Sequence, residues 1–266
     1  GNGLHLPEIN LENYFLVDTK LPEITSISSA NPIISDGDIP TGYQTIIELD
    51  EPCNTSQIPN FFFSGTNYFN STINHNTQNS TWNSTQEYQA EFNLTDFNEN
   101  VASVDVLIEN IEDVHGNPLL NPNGSNICSI DTKNPSSTAV IISDTLINIE
   151  DLNTNPQIDA SVSFDEAMDT TIIPEFLLYE GTGIHSSIVM NPFETFWTDS
   201  STLNTELWVL SDTNNFIHLE LICLGAKDNN GNTINDTITP SDLYSDLKEP
   251  YVEYSMPVAQ VISDSL

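Results

Sequence analysis

The sequence predicts an all-β chain built from antiparallel β-sandwich domains in tandem. Two observations lead to this prediction. Strand-like segments recur about every 8–12 residues, and a motif from the first half returns in the second half at a displacement of 165 − 50 = 115 residues. The chain has 266 residues, which at ~100–150 residues per domain is enough for about two domains. Units of this size with strands at that spacing are typical of two packed sheets.

The strand-like segments combine β-branched and aromatic residues with short or alternating apolar runs. They include residues 45–49, 104–108, 160–164 and 216–222. Clusters of Pro, Gly and Asn-Gly separate them, and no segment has the period of a long amphipathic helix. We therefore expect strands joined by turns throughout.

The internal repeat organises the chain. Residues 50–61 match residues 165–176, and at the same displacement Trp82 falls on Trp197 and the turn 113–117 falls on 228–232. Residues 92–96 align with 208–212 once one residue is inserted, and the tripeptide Asp-Thr-Lys at 18–20 recurs at 131–133. The repeat predicts the tail of a preceding domain (1–20), two complete domains (21–133 and 134–248) and the start of a following one (249–266). We expect the chain to be a window from a longer array.

The charge of the chain excludes two classes of partner. There are 39 acidic residues against four lysines and no arginine, which gives a formal charge of −35. Nucleic-acid binding requires basic side chains for the phosphates, and docking on anionic lipid requires them too. No apolar run approaches the ~18 residues of a membrane span, so we expect no direct membrane insertion in this segment.

Several motifs resemble a known family. Residues 164–169 followed by Ile173-Pro174, the turns at 113–117 and 228–232, and the Asp-Thr-Lys-x-Pro linkers are similar to bacterial Ig-like domains of S-layer proteins and large surface adhesins. The first unit departs from the family at Pro52-Cys53, where a small residue and Met are usual. The resemblance implies tandem Ig-like sandwiches with an extracellular structural role, and it carries no catalytic residues to this chain.

The remaining chemistry of the sequence does not favour an enzyme. The five histidines are scattered without a pair at metal-ligand spacing, and the sequence contains no nucleophile elbow, phosphate loop or Cys-His site. We expect no enzymatic activity.

Calcium is the cofactor that the sequence favours, because aspartates on flexible loops offer the hard oxygen ligands that Ca²⁺ takes. Asp-Gly turns also form without a metal, and none of these follows the EF-hand pattern. The candidate ligands are Asp18, Asp36, Asp38, Asp113, Asp131, Asp144, Asp151, Asp228 and Asp246.

Seven Asn-x-Ser/Thr sequons are candidate N-glycosylation sites, and four of them lie between Asn70 and Asn93. An archaeal or eukaryotic exported protein would use them; the alternative is that they are polar turns and strand edges. The candidate asparagines are Asn54, Asn70, Asn79, Asn83, Asn93, Asn123 and Asn235.

Cysteine and tryptophan positions leave two alternatives each. Cys53 and Cys128 fall in the same unit and form either a disulfide or two buried thiols; the alignment of Cys53 with Met168 favours burial. Trp82 and Trp197 share a repeat position, which favours packing over sugar binding.

Together these features predict a structural unit of an extracellular cell-surface layer (S-layer) or fibre, archaeal in type by its sequons. Its partners would be copies of itself in a lattice or fibre and covalent N-glycans. The alternative is the stalk of a calcium-dependent adhesin, and a less favoured one is a spacer module of a secreted carbohydrate-active enzyme.

Overall fold

The chain divides into two compact units, the first ending at Lys133 and the second beginning at Asn134. The computed structural model describes residues 17–29, 31–69, 71–154, 156–180, 183–184, 188–210, 217–235, 237–238 and 243–246. Most of the regular structure in these ranges is β-strand, which confirms the predicted all-β class. Of the predicted flanking segments 1–20 and 249–266, only residues 17–20 fall within the described residues.

The first unit is built from short strands and a 3-10 helix at Asp36–Asp38. The strands are β1 (Ile24–Ser29), β2 (Ile33–Ser35), β3 (Tyr43–Leu49), β4 (Asn60–Ser64), β5 (Ile73–His75), β6 (Thr81–Ser84), β7 (Glu87–Leu94), β8 (Asn100–Glu109) and β9 (Asn123–Asp131).

These strands form two sheets. One has the order β1-β3-β7-β5 with β6 also paired to β7, and the other has the order β2-β9-β8-β4. The pairs are antiparallel except β2 and β9, which run parallel. The predicted antiparallel sandwich is therefore confirmed, with one parallel pair at a sheet edge.

The core of the first unit follows from alternation along the strands. On β3 the side chains of Tyr43, Ile47 and Leu49 are buried, and β8 contributes Val106 and Ile108 from the other sheet. Burying one such side chain contributes about 1.5–3 kcal/mol. Both sheets supply one continuous apolar cluster.

The second unit has a related plan with three sheets in place of two. Its elements are β10 (Ser137–Ile142), β11 (Leu146–Asn148), α1 (Ile149–Thr154), β12 (Gln157–Phe164), β13 (Glu175–Glu180), β14 (Gly183–Ile184), β15 (Ile188–Trp197), β16 (Thr202–Val209), β17 (Ile217–His218), β18 (Glu220–Leu224), β19 (Thr237–Ile238) and β20 (Tyr244–Asp246). The sheet orders are β10-β12-β16-β15, β14-β13-β18-β19 and β11-β20-β17. The β11–β20 pair is parallel, as is β2–β9 in the first unit. The buried side chains of the second unit form one apolar cluster.

Equivalent positions of the two units make equivalent contacts. Trp82 Nε1 donates to the carbonyl of Gln57 at 2.8 Å, and Trp197 Nε1 donates to the carbonyl of Ile172 at 2.8 Å. The Trp82 ring also packs edge-on against Tyr88, with centroids 5.1 Å apart. The expectation that both tryptophans serve packing is confirmed.

The alignment of residues 92–96 with 208–212, which requires one inserted residue before Trp208, is wrong. Phe92 pairs with Tyr43 across the sheet, and the residue in the same place of the second unit is Leu207, which pairs with Ile158. Phe92 and Leu207 are both buried, whereas Trp208 is on the outer face. A shift of one residue would turn every side chain of the strand to the opposite face, so the displacement of 115 residues continues without interruption here.

The three cysteines are free and buried, so the alternative of a Cys53–Cys128 disulfide is not the observed one. Burial raises the pKa of the Cys53 and Cys128 thiols to about 11 and that of Cys223 to about 12. They behave as small apolar side chains, because a thiol with so high a pKa carries almost no thiolate.

Candidate cation site in the first unit

Asp18, Asp113 and His115 come together in the first unit. Each offers one ligand atom, and these atoms lie within 4.8 Å of one another. The Nδ1 atom of His115 is 2.9 Å from Oδ2 of Asp18. The sequence predicted both aspartates as ligands but did not predict the histidine.

A tight turn holds Asp113 in place. Its Oδ1 accepts hydrogen bonds from the backbone N–H groups of His115 and Asn117, each at 2.8 Å, and its Oδ2 accepts one from Asn117 Nδ2 at 2.8 Å. Gly116 has a φ of +91°, a conformation that glycine adopts at little cost. Burial raises the pKa of Asp113, but the hydrogen bonds from Asn117 and His115 outweigh burial and hold the pKa below its ordinary value.

Glu51 contributes a further carboxylate beside this group. Its Oε1 atom is buried and accepts no hydrogen bond from the described residues. Burial raises the pKa of Glu51; Lys20 opposes this, while the negative charges of Asp50, Asp18 and Asp113 reinforce it. A buried acceptor without a donor is costly unless a cation or proton satisfies it.

Lys20 places a fixed positive charge beside Asp50 and Glu51. Its Nζ lies 2.7 Å from Asp50 Oδ2 and 3.9 Å from Glu51 Oε2. The hydrogen bond from Lys20 lowers the pKa of Asp50, and the backbone N–H of Glu23 adds to this effect. Lys20 is thus engaged mainly by Asp50, at 2.7 Å against 3.9 Å for Glu51.

Within each unit, the other predicted ligands have local roles. Asp228 forms the same turn as Asp113, with Oδ1 accepting from the backbone of Asn230 and Asn232 at 2.8 and 2.9 Å. Asp131 is buried and accepts from Asn100 Nδ2 at 3.1 Å. Asp38 and Asp151 accept the backbone N–H of Ser35 and Asn148, at 2.9 and 2.7 Å, at the start of the short helices.

The remaining aspartates are not assembled into a ligand set. Asp144 accepts the backbone N–H of Leu146 at 2.9 Å, and Asp246 is exposed at the end of β20. In the described part of the chain, five predicted ligands join no group of three or more metal-ligating side chains: Asp36, Asp38, Asp144, Asp151 and Asp246.

Glu51 and His115 are the site residues that sequence reasoning missed. The signal for Glu51 was present, since the pair Asp50-Glu51 recurs as Asp165-Glu166 in the repeat. His115 had no such signal, because Asn230 stands at its place in the second unit.

The described sequon asparagines differ in exposure. Asn79, Asn83, Asn93, Asn123 and Asn235 are exposed, with Asn79 in the turn between β5 and β6. Asn54 is only half-exposed, and its Nδ2 donates to Glu112 at 3.1 Å while its Oδ1 accepts from Ser56 Oγ at 2.6 Å. Asn70 lies outside the described residues.

No family model matches this sequence, and no curated protein does either. Among solved structures, the chain is similar to the N-terminal part of the bacterial S-layer protein SbsC, with 7% identity and a TM-score of 0.29 over 86% of this chain and 44% of that one. It is also similar to a chicken TCR (9% identity, TM-score 0.27, 81% and 97% covered). A third similar structure is Dpr2 Ig1-Ig2 in complex with DIP-Theta Ig1-Ig3, with 8% identity and a TM-score of 0.26 over 86% of this chain and 99% of that one. The chain thus spans less than half the length of the S-layer structure, and its described residues contain no helix able to cross a membrane.

Proposed function

We propose that this chain is a non-enzymatic structural repeat of an extracellular surface layer. The observation that carries the proposal is what the two units have in common. The shared positions build the sandwich: the tryptophan that caps its core, the aspartate that organises a late turn, and the buried alternation of the strands. A repeat that preserves packing is suited to stacking in an array rather than to chemistry on a substrate.

The surface supports an extracellular setting. A formal charge of −35 with only four lysines keeps a protein hydrated and attracts cations. Exposed sequon asparagines on β6, on β7 and in the turn before β6 supply sites for N-glycans. We propose that glycans are carried at Asn79, Asn83, Asn93, Asn123 and Asn235.

We further propose that Asp18, Glu51 and Asp113 bind Ca²⁺. The carboxylates of Asp18 and Asp113 each place an oxygen within 4.8 Å of the other, and oxygens are the ligands that Ca²⁺ prefers. Glu51 interacts electrostatically with both, and its buried Oε1 gives the ion an acceptor that no described donor satisfies. Histidine nitrogen is not among the oxygen ligands of Ca²⁺. His115 would therefore release Asp18 when the ion enters.

Calorimetric titration and thermal unfolding of the full chain test the calcium proposal. We expect Ca²⁺ to raise the unfolding temperature more than Na⁺ or Mg²⁺ does at equal ionic strength. Ca²⁺ accepts oxygen ligands in a flexible geometry, whereas Mg²⁺ requires a near-ideal octahedron. Asp18→Asn should weaken Ca²⁺ binding about tenfold, corresponding to about 1.4 kcal/mol.

Glu109→Gln is the matched control, because it removes one carboxylate from an exposed position of β8 that does not belong to this group. It should bind Ca²⁺ like the parent chain. Equal effects of Asp18→Asn and Glu109→Gln would mean that Ca²⁺ acts only as a diffuse counter-ion, and the site would be rejected.

Imaging of the native cell envelope with an antibody against this chain tests the structural role. We expect labelling of a two-dimensional lattice or a regular fibre with lateral contacts. Labelled, laterally unpaired strings ending in a globular tip would instead identify an adhesin stalk, and release with a secreted carbohydrate-active enzyme would identify a spacer; either result would overturn the proposal.

A further inference from the structure

A groove runs across the outer face of the β10-β12-β16-β15 sheet in the second unit. Its volume is about 410 Å³, within the range of small-molecule sites. One rung, meaning a row of directly paired residues across the four strands, consists of Ile141, Ser161, Asn204 and Phe196 in that order. Ile141 is 69% exposed and Phe196 is 49% exposed, so the groove has apolar walls at both ends of this rung.

The next rung on the same face carries two carboxylates. Asp159 of β12 stands directly opposite Glu206 of β16, and side chains in such a pair have Cβ atoms about 4.5–5.5 Å apart. Glu194, which lies within the register shift of β15 between Asn191 and Phe196, also lines the groove. No lysine is among the described residues that line it.

In the first unit, the pair of residues at the equivalent position is joined by a hydrogen bond. Gln44 stands opposite Glu91 there, at the positions equivalent to Asp159 and Glu206, and its Nε2 donates to the Glu91 carboxylate. Like charges directly opposite each other destabilise a sheet. The second unit therefore has a repulsive pair where its repeat partner has a hydrogen-bonded one, and it has that pair inside a groove.

The outer faces of the two units also differ at the residues around this pair. Trp208 occupies the place of the sequon residue Asn93, and its Nε1 donates to Glu206 Oε1. Asn191 also donates to Glu206 Oε1, at 2.7 Å. Both donors hold the Glu206 carboxylate in position beside Asp159 on a face that carries no sequon.

We propose that this groove binds a primary ammonium group carried on an aliphatic chain. The carboxylates of Asp159, Glu194 and Glu206 would neutralise the ammonium group, and Ile141 and Phe196 would cover the methylene chain. The face of an aromatic ring also attracts a cation directly. A second copy of this groove is excluded as the occupant, because two carboxylate-lined faces repel. The proposal does not depend on the surface-layer role or on the calcium site.

Calorimetric titration of the full chain with cadaverine, at constant ionic strength, tests this binding. Asp159→Gln recreates the pair of the first unit, and we expect it to weaken cadaverine binding about fivefold while raising the unfolding temperature. Phe196→Ala should weaken binding about threefold through the loss of the ring. Nα-acetyl-lysine amide is titrated in parallel: stronger binding of it than of cadaverine would identify a lysine side chain as the source of the ammonium group, and the reverse would identify a free diamine.

Two control variants separate the groove from the general acidity of the chain. Glu91→Gln removes the carboxylate at the equivalent place in the first unit, and Phe193→Ala removes an aromatic ring that is 87% exposed outside the groove. Both should bind cadaverine like the parent chain. If Asp159→Gln and Phe196→Ala bind no more weakly than these controls, cadaverine is only a diffuse counter-ion and the proposal is wrong.

Discussion

Asp228 shows how much one side chain contributes to a turn. It is 2% exposed, and its carboxylate accepts two backbone N–H groups and the Asn232 amide. We expect Asp228→Ala to lower the free energy of unfolding of the second unit by about 2–4 kcal/mol, because buried donors lose their acceptor. Denaturant unfolding followed by tryptophan fluorescence measures this loss. Asp228→Asn keeps an oxygen at Oδ1 and should lose less; equal losses for the two variants would contradict the hydrogen-bond explanation.

The lowered pKa of Asp113 leads to a prediction about how the stability of the fold depends on pH. Its pKa in the folded chain lies below the ordinary value, so its charge stabilises the fold above about pH 4, and that contribution is lost as the pH falls through the folded pKa. We therefore expect the stability difference between the parent chain and Asp113→Asn to be largest near about pH 6 and to shrink towards about pH 3. Denaturant titrations in metal-free buffer at these pH values measure it. A difference that stays constant with pH would show that the Asp113 charge is not responsible.

The candidate site shows the limit of sequence reasoning at the scale of residues. Asp18 and Asp113 were predictable because the repeat marks both the linker and the turn. Asp38 and Asp151 have the same local chemistry, yet each accepts a backbone N–H at the start of a short helix. A carboxylate in a loop serves a cap or a cation equally well, and only the fold brings together the several ligands that a cation needs.

At the scale of elements, the entry to β3 depends on a glycine. Gly42 has a φ of +79°, and an added Cβ would lie 2.7 Å from the carbonyl oxygen of Phe92 on the neighbouring strand. Gly42→Ala should destabilise the first unit by about 1–3 kcal/mol, because backbone has to move. The comparison is Gly37→Ala, where the nearest atom would be Ser35 Oγ at 3.7 Å. Unfolding by denaturant should change little for Gly37→Ala, and equal effects of the two variants would contradict the steric argument.

Strands were easier to predict than their alignment. The β-branched and apolar residues at 45–49 and 160–164 predict strands, and these segments lie in β3 and β12. The match of Phe92 to Trp208 is wrong because the register of a strand is specified by which residues face the core and not by residue type. The outward Trp208 and the inward Phe92 belong to opposite faces.

At the scale of the whole molecule, the sequons differ in what surrounds them. Peptide mapping by mass spectrometry of the chain from its native source should find glycan mass at Asn83 and Asn93, which are exposed on β6 and β7. Asn54 should be unmodified, because it is half-buried whereas Asn83 and Asn93 are exposed. Glycan at Asn54 and none at Asn83 or Asn93 would show that exposure in the folded chain does not govern modification.

The parallel pairing of β2 with β9 has a mechanical consequence. β2 lies near the beginning of the first unit and β9 at its end, and three residue pairs join them; β11 and β20 repeat this arrangement in the second unit. A pull on the two ends of a unit drags such strands past each other along their length, so the hydrogen bonds between them share the load instead of opening one after another. The strength of each unit under tension is thus concentrated in a ladder of only three residue pairs.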